Sequence, residues 1–542
     1  MSAQRAVLLL TLYLLLTANW PLWLSLARIA QGQGDVLSLG VPMLGLLASA
    51  TLAVLGVTAW SRGMRWLWWL LLLVAALAQY YMLTYRVVMD PGMLTNVMQT
   101  DVRETRDLLT ARLLTSVLLV MTLPTWWLLH LQLLPAPWWR QMARNAGLIA
   151  LALALAGATI ALGSRSLAPL MRNHTELRYL MNPAAPLFSS VMAVHDQWFS
   201  RPRTLVKMTA GAALGASHAG NRRPLLLALV VGETARADHF ALNGYARATN
   251  PELARRDDVL SWRDVFSCGT STAASLPCMF SPLGRDGFLA RSEDTENLLD
   301  VVQAAGLAVL WLDNQSGCKG VCDRVHHADA IDGLSPQQRQ QLCPGGECSD
   351  EAMLAGLDAR IAALPEAERA RGVLLVLHQM GSHGPAYYKR STAAQKTFEP
   401  ECRTEVLSDC DQQALINAYD NSIVATDAFL AGTVDWLAQR SAQSDTGLLY
   451  VSDHGESLGE YGLYLHGMPY AVAPDVQKHV PMLAWFSAPL QQRLGLSPVC
   501  LRTHLDAPLT HDNLYSSVLT LLDVRSPSYN RALDLFAACR RE

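Results

Sequence analysis

Residues 225–234 read Leu-Leu-Leu-Ala-Leu-Val-Val-Gly-Glu-Thr. An apolar run this short, without alternation and closed by a glycine and a carboxylate, predicts a strand buried on both faces, as in a parallel sheet. Similar runs occupy 308–312, 373–377, 448–451 and 482–486, and helical patterns lie at 293–305, 350–364 and 412–438. Strands alternating with helices predict an α/β fold, a largely parallel sheet covered by helices on both faces. Ligands of such sheets gather at the carboxyl ends of the strands.

The residues directly after each run are therefore informative. Gly232-Glu233-Thr234 comes after the first, His378-Gln379-Met380-Gly381-Ser382-His383 after the third and Ser452-Asp453-His454-Gly455-Glu456 after the fourth. Carboxylates and imidazoles converging on one edge are the mixed oxygen and nitrogen set that a divalent cation such as zinc prefers. Taken singly, Glu233 also suits a helix N-terminus and His383 an ordinary loop; their common strand-end position favours the metal. The small hydroxyl run Thr270-Ser271-Thr272-Ala273-Ala274-Ser275, between Cys268 and Cys278, offers a nucleophile. A hydroxyl beside a divalent cation loses its proton near neutral pH. Gly455-Glu456-Ser457-Leu458-Gly459 also fits the elbow of a serine esterase, with Asp475 and His479 downstream. Asp453 and Glu456 oppose that reading, because they put negative charge where an oxyanion must be stabilised.

Upstream the chain changes character. Of 542 residues, 51% are apolar and 16% charged, against roughly a quarter charged in soluble proteins. The 43 basic and 46 acidic residues, net charge −3, leave no basic excess for nucleic acid. Five uncharged stretches, 6–27, 36–61, 66–85, 113–139 and 145–164, each reach the roughly 20 residues that cross a bilayer as a helix. Pro21, Pro42 and Pro124 lie within them, and Trp66, Trp68, Trp69, Trp126, Trp127, Trp138 and Trp139 lie near their ends like interfacial anchors. The expected domains are 1–165 with five transmembrane helices, a connector at 166–220 with surface helices and a flexible Gly/Ala/Ser-rich link at 211–220, and a catalytic domain at 221–542.

Lys and Arg counts do not orient the spans. The cysteines do: all ten lie beyond the last span, eight of them in close pairs. An even set confined to one domain indicates disulfides in an oxidising compartment. The expected pairs are Cys268–Cys278, Cys318–Cys322, Cys343–Cys348, Cys402–Cys410 and Cys500–Cys539, with a zinc–thiolate site at the C-x3-C of Cys318 and Cys322 as the alternative.

At these residues the chain resembles the phosphoethanolamine transferases that modify lipid A, members of the alkaline-phosphatase and sulfatase-like superfamily. Val231-Gly232-Glu233-Thr234-Ala235-Arg236 and the blocks 268–281, 316–321, 378–388 and 452–469 carry the resemblance, which extends over nearly the whole chain. It implies an alkaline-phosphatase-like α/β/α sandwich, Thr272 as nucleophile and Glu233, Asp453 and His454 as zinc ligands beside it. Lys319, His383 and His466, with Ser316 nearby, resemble residues that hold the transferred phosphate or a second metal. Asn96, Thr100 and Glu104 resemble contacts to the donor headgroup. The sulfatase branch is disfavoured because Cys278 is preceded by Pro277, not followed by a C-x-P-x-R arrangement.

The implied reaction moves phosphoethanolamine from phosphatidylethanolamine to a lipid A phosphate through a phospho-threonine, lowering affinity for cationic peptides such as polymyxin. The implied enzyme is a monomer with one tightly bound zinc and room for a second, anchored in a bacterial inner membrane with its catalytic domain in the periplasm. A metal-dependent phosphodiesterase, or a transferase acting on another periplasmic glycan or core sugar, is the alternative.

Overall fold

The computed structural model describes residues 1–33, 36–61, 63–100, 102–195, 198, 204–220 and 223–541. They form two compact units, Met1–Met98 with Thr105–Ser200, and Gln99–Glu104 with Arg201–Glu542.

The first unit is helical. Among the described residues, Leu37–Val57, Met64–Thr84, Ala111–His130 and Trp138–Asn173 are long and apolar enough to cross a membrane, and the pair Ala3–Thr17 and Trp20–Ala30, bent by 51°, makes a further span if counted as one. The bend exposes carbonyls that hydrocarbon cannot satisfy. Side-chain amides do so: Asn19 Nδ2 donates to Leu14 O at 3.0 Å, Gln79 Nε2 to Thr17 O at 2.7 Å and Asn182 Nδ2 to Ala18 O at 3.1 Å. Helices Val36–Val57 and Trp138–Asn173 approach so closely that a Cβ on Gly45 would run into the Thr159 side chain, the small-residue contact typical of membrane bundles. Leu119, Leu123, Leu151 and Leu162 point outward, as a lipid-facing surface requires.

Several boundaries differ from expectation. The fourth stretch, 113–139, ends as a helix at His130, because Pro135 and Pro137 interrupt it; Trp138 and Trp139 open the next helix, which runs to Asn173 instead of stopping at 164. The connector expected at 166–220 is not a separate piece. Its start continues that helix and its Gly-rich end is fastened to the second unit: Ala213–Leu214 pairs with Val524–Arg525, and Ser217 N–H donates to Asp523 Oδ2 at 2.8 Å. That part of the flexible link is fixed by a carboxylate more than three hundred residues away, |i−j| = 306.

The second unit is built on seven strands, β1 Leu225–Gly232, β2 Leu260–Trp262, β3 Ala308–Asp313, β4 His326–Asp329, β5 Gly372–His378, β6 Asp445–Ser452 and β7 Met482–Phe486. Their order is β2-β7-β6-β1-β5-β3-β4. From β6 to β4 all neighbours are parallel, whereas β7 runs antiparallel to β6, and β2 to β7. The run 482–486, read as one of the parallel strands, is thus a returning strand; β2 and β4 are edge strands too short to stand out in sequence.

Alternate side chains of β1 enter two cores. Leu225, Leu227, Leu229 and Val231 pack with Val301 and Val302 of helix Leu298–Ala304 and with Leu514 and Val518 of helix Asp512–Leu521. Leu226, Ala228 and Val230 pack with Tyr419, Ile423 and Phe429 of helix Gln412–Arg440. Each such burial stabilises by roughly 1.5–3 kcal/mol, and a strand covered on both faces explains the unbroken apolar run.

Helix bounds are shorter than expected in two places. At 293–305 the helix begins only at Leu298, because Asn297 forms a capping box with Asp300. At 350–364 a 3-10 turn Asp350–Leu354 and a helix Leu357–Ala362 are separated by Gly356, whose φ is 67°. All ten cysteines form the five expected disulfides, so the zinc–thiolate alternative does not hold.

Candidate active site

Loops after β1 and β6, which are adjacent in the sheet, carry Glu233, Asp453 and His454, all buried. Each is held by one atom and presents another. Glu233 Oε2 accepts the Thr272 hydroxyl at 2.9 Å. Asp453 Oδ1 accepts the N–H of His454 at 2.7 Å and of Thr234 at 3.3 Å. His454 Nδ1 lies 2.9 Å from Gly455 O; a carbonyl only accepts, so Nδ1 carries the proton and Nε2 presents a lone pair.

The atoms left over converge. Glu233 Oε1 and Asp453 Oδ2 each lie 3.3 Å from His454 Nε2, and neither oxygen has a hydrogen-bond donor. Two carboxylate oxygens and an imidazole lone pair, buried together, require positive charge between them. Burial and the Glu233 charge push the Asp453 carboxyl above its ordinary range, and although burial opposes a charged His454, Asp453 and Glu233 outweigh it and raise the imidazole, so that without a cation the cluster draws protons instead. Glu233 stays below the ordinary carboxylate range because His454, His383 and His466 outweigh its burial. The residues present therefore fit a divalent metal, with Thr272 Oγ1, 3.4 Å from His454 Nε2, next to the same point. Among the described residues, the other groupings of metal-binding type use Cys318 with Cys322, or Cys500 with Cys539; their sulfurs are in disulfides and have no thiolate to offer.

Thr272 opens helix Thr272–Met279, after Ser271 in extended conformation. The loop before it is tied down from both sides: Thr270 Oγ1 donates to Met468 O at 2.6 Å, Gly467 N–H to Thr270 O at 2.8 Å and Gly269 N–H to Ser275 Oγ at 2.8 Å. Ser457, the nucleophile of the esterase reading, lies in a two-residue strand with its hydroxyl accepting from Gln477 Nε2 at 2.8 Å.

Three histidines line up outward from the cluster. The His466 ring centre is 4.3 Å from that of His454 and 5.6 Å from that of His383. Buried Glu456 Oε2 lies 3.3 Å from His466 Nδ1. Glu104, within the same unit, approaches His383 Nε2 at 3.8 Å. Lys319, at φ 50°, turns its Nζ onto Ser316 O and Oγ at 2.9 and 2.8 Å. Thr100 belongs to this unit and Asn96 to the other, on helix Pro91–Gln99.

Sequence reading overlooked Asp350. Its carboxylate accepts Asn314 Nδ2 at 2.8 Å, Gln379 Nε2 at 3.1 Å, Met380 N–H at 2.8 Å and Gly381 N–H at 3.1 Å. It thereby joins the loop of Ser316 and Lys319 to the loop of His383. Glu456 belongs to the strand-end set of carboxylates, but its place beside His466 is visible only in the fold.

The sulfatase family model matches residues 226–524, and the model described as phosphoethanolamine transferase EptA/EptB matches 47–198. Phosphatidylethanolamine transferase Mcr-1 of Escherichia coli is 39% identical over 502 residues, 92% of this chain and 90% of that one. This chain belongs to the phosphoethanolamine transferase family. Phosphoethanolamine transferase EptA of Salmonella typhimurium is likewise 39% identical, over 87% of this chain and 84% of its own. Among solved structures, the integral membrane lipooligosaccharide phosphoethanolamine transferase A from Neisseria meningitidis covers 99% of this chain and 98% of its own at a TM-score of 0.91 and 33% identity. The transferase is accordingly an enzyme with a membrane-type N-terminal domain and a sulfatase-like α/β domain, as its residues implied.

Proposed function

We propose that this transferase moves phosphoethanolamine from phosphatidylethanolamine to a phosphate of lipid A, with Thr272 as the covalent carrier. The observation that supports it most is the buried convergence of Glu233 Oε1, Asp453 Oδ2 and His454 Nε2 beside the Thr272 hydroxyl. Those three residues with Thr272 would hold a zinc ion. When bound, zinc supplies Lewis-acid stabilisation of a deprotonated hydroxyl and of phosphoryl oxygens.

The chain's own residues do the rest. Thr272 Oγ1, presented at a helix start, attacks the donor phosphorus and passes its proton to Glu233 Oε2, its acceptor at 2.9 Å; the O–P bond to Thr272 forms as the bond to diacylglycerol breaks. Glu456 orients His466, which protonates the departing diacylglycerol oxygen; in the second half His466 takes the proton of the attacking lipid A phosphate as the Thr272–phosphorus bond breaks and Glu233 returns its proton to Thr272. Lys319, His383 and Ser316 hold the phosphoryl oxygens, where positioning and electrostatics carry most of the catalysis. Thr100 and Glu104, in the same unit as Lys319 and His383, meet the ethanolamine headgroup. A second metal would use His383 and His466 in place of the His466 proton transfer.

Counting the bent pair once gives five spans. Anchoring a monomer in the inner membrane, with the disulfide-bonded unit in the periplasm, keeps it at the lipids it joins. The added amine lessens the surface's attraction for cationic peptides such as polymyxin. Mass spectrometry of lipid A from cells expressing wild type and Thr272→Ala tests the proposal: modified lipid only with wild type is expected, and unmodified lipid in both would overturn it. Labelled phosphatidylethanolamine given to purified enzyme with and without lipid A separates transfer from hydrolysis; release of free phosphoethanolamine alone would favour the hydrolase or another acceptor.

A further inference from the structure

A buried imidazole outside the catalytic set touches both halves of the site. His511 comes after the two-residue strand Leu509–Thr510 and precedes helix Asp512–Leu521. Its Nδ1 accepts the Cys268 N–H at 3.1 Å, on the loop that leads to Thr272. Its Nε2 lies 2.9 Å from Ser452 O, immediately before Asp453 and His454. An Nδ1 that accepts has no proton, so Nε2 must carry one and donate. The neutral Nε2–H tautomer alone makes both bonds, and burial keeps the ring neutral by pushing its pKa down to about 4.

Both contacts reach into further bonds. Cys268 O accepts Arg285 Nε at 3.0 Å, so both backbone polar groups of Cys268 are engaged. Ser452 Oγ accepts Ala235 N–H at 2.8 Å and faces His454 O at 3.0 Å, linking the segments of Glu233 and His454. His511 thus ends a chain of contacts that begins on the ligand-bearing loops and finishes on the nucleophile loop.

We infer that His511 is a positioning residue for phosphoryl transfer, a neutral strut that sets the distance between Thr272 and the ligands Glu233, Asp453 and His454. The inference rests on the reading of Thr272 as nucleophile. A strut of this kind acts on the geometry of attack and not on donor binding, and displacement by about 1 Å at a reacting centre costs on the order of a hundredfold in rate. Its loss should therefore lower kcat and leave the donor KM alone.

Two substitutions divide the strut. In His511→Asn the amide oxygen takes the Nδ1 position and keeps the Cys268 contact; in His511→Gln the amide nitrogen reaches the Nε2 position and keeps the Ser452 contact. Full-length enzyme in detergent is assayed with labelled phosphatidylethanolamine and lipid A, with folded fraction and zinc content measured on the same samples. Expected is a fall in kcat per folded molecule of about tenfold or more in each variant, with donor KM and zinc content within about twofold. Wild-type kcat per folded molecule in both, beside an inert Thr272→Ala, would overturn the strut alone, as would activity that falls only with the folded fraction. Turnover by Thr272→Ala would overturn the nucleophile reading and this inference together.

Discussion

The Thr272 hydroxyl donates to Glu233 Oε2 at 2.9 Å, leaving Glu233 Oε1 turned toward His454 Nε2 at 3.3 Å. One carboxylate thus orients the nucleophile with one oxygen and offers the other to a cation. Both duties fall on a single side chain, so substitutions here are expected to affect chemistry before they affect folding.

Thr272→Ala should lower transfer by about 10³-fold or more, since the loss of a nucleophile leaves only the remaining electrostatics. Thr272→Ser should retain partial activity. Mass spectrometry of enzyme quenched after exposure to phosphatidylethanolamine should find phosphoethanolamine on residue 272 in wild type and Thr272→Ser; an unmodified residue during continuing turnover would count against covalent transfer.

Removing the metal with a chelator should abolish transfer and lower thermal stability, because the converging oxygens of Glu233 and Asp453 then repel across a buried gap. Zinc should restore both, by about 2.7 kcal/mol at a hundredfold excess over Kd. Asp453→Asn should weaken zinc retention, read by metal analysis after dialysis. Full activity in metal-free protein is the contrary result.

Asp350→Ala should destabilise the second unit by about 3 kcal/mol or more, because unpaired buried donors cost about 1–3 kcal/mol each and this carboxylate serves Asn314, Gln379, Met380 and Gly381. Thermal unfolding of the detergent-solubilised enzyme measures it. An unchanged melting temperature would show that the two loops hold without it.

Gly381→Ala tests a close approach. Gly381 has φ 50°, and a Cβ there would meet Glu233 O at 2.7 Å. Displacing Glu233 should reduce zinc affinity and transfer together, by about tenfold on the usual scale for disturbed metal support. Wild-type zinc affinity and rate would contradict the stated crowding.

Acid should also act through His511. Burial pushes its pKa to about 4, below the unfolded value near 6.5. Between those limits the unfolded chain holds the extra proton, so stability rises with pH and is lost as pH falls from about 6.5 toward about 4, by at most about 3 kcal/mol. Thermal unfolding from about pH 7 to about pH 4.5 should show a smaller acid loss in His511→Phe than in wild type. Equal losses would assign the acid sensitivity to other groups.

Much was legible because the informative patterns are local. Apolar runs of strand length reported burial on both faces, stretches near bilayer thickness reported helices in hydrocarbon, and residues directly after two strands delivered Glu233, Asp453 and His454. Cysteines close in sequence found their partners. Helix ends were less legible, since Asn297 and Gly356 act through backbone geometry.

From sequence alone came the two physically different halves, the buried sheet and the edge where polar side chains collect, because each depends on neighbours along the chain. Tertiary structure alone decided which oxygen of each carboxylate turns toward His454 Nε2, that 482–486 returns antiparallel, and that Asp350 and His511 bond to the loops of the site. The bonds of Asp350 and His511 join residues 29 to 243 positions apart, and a hydrogen bond across such a separation leaves no periodic trace in the order of amino acids; only folding brings its two ends within reach.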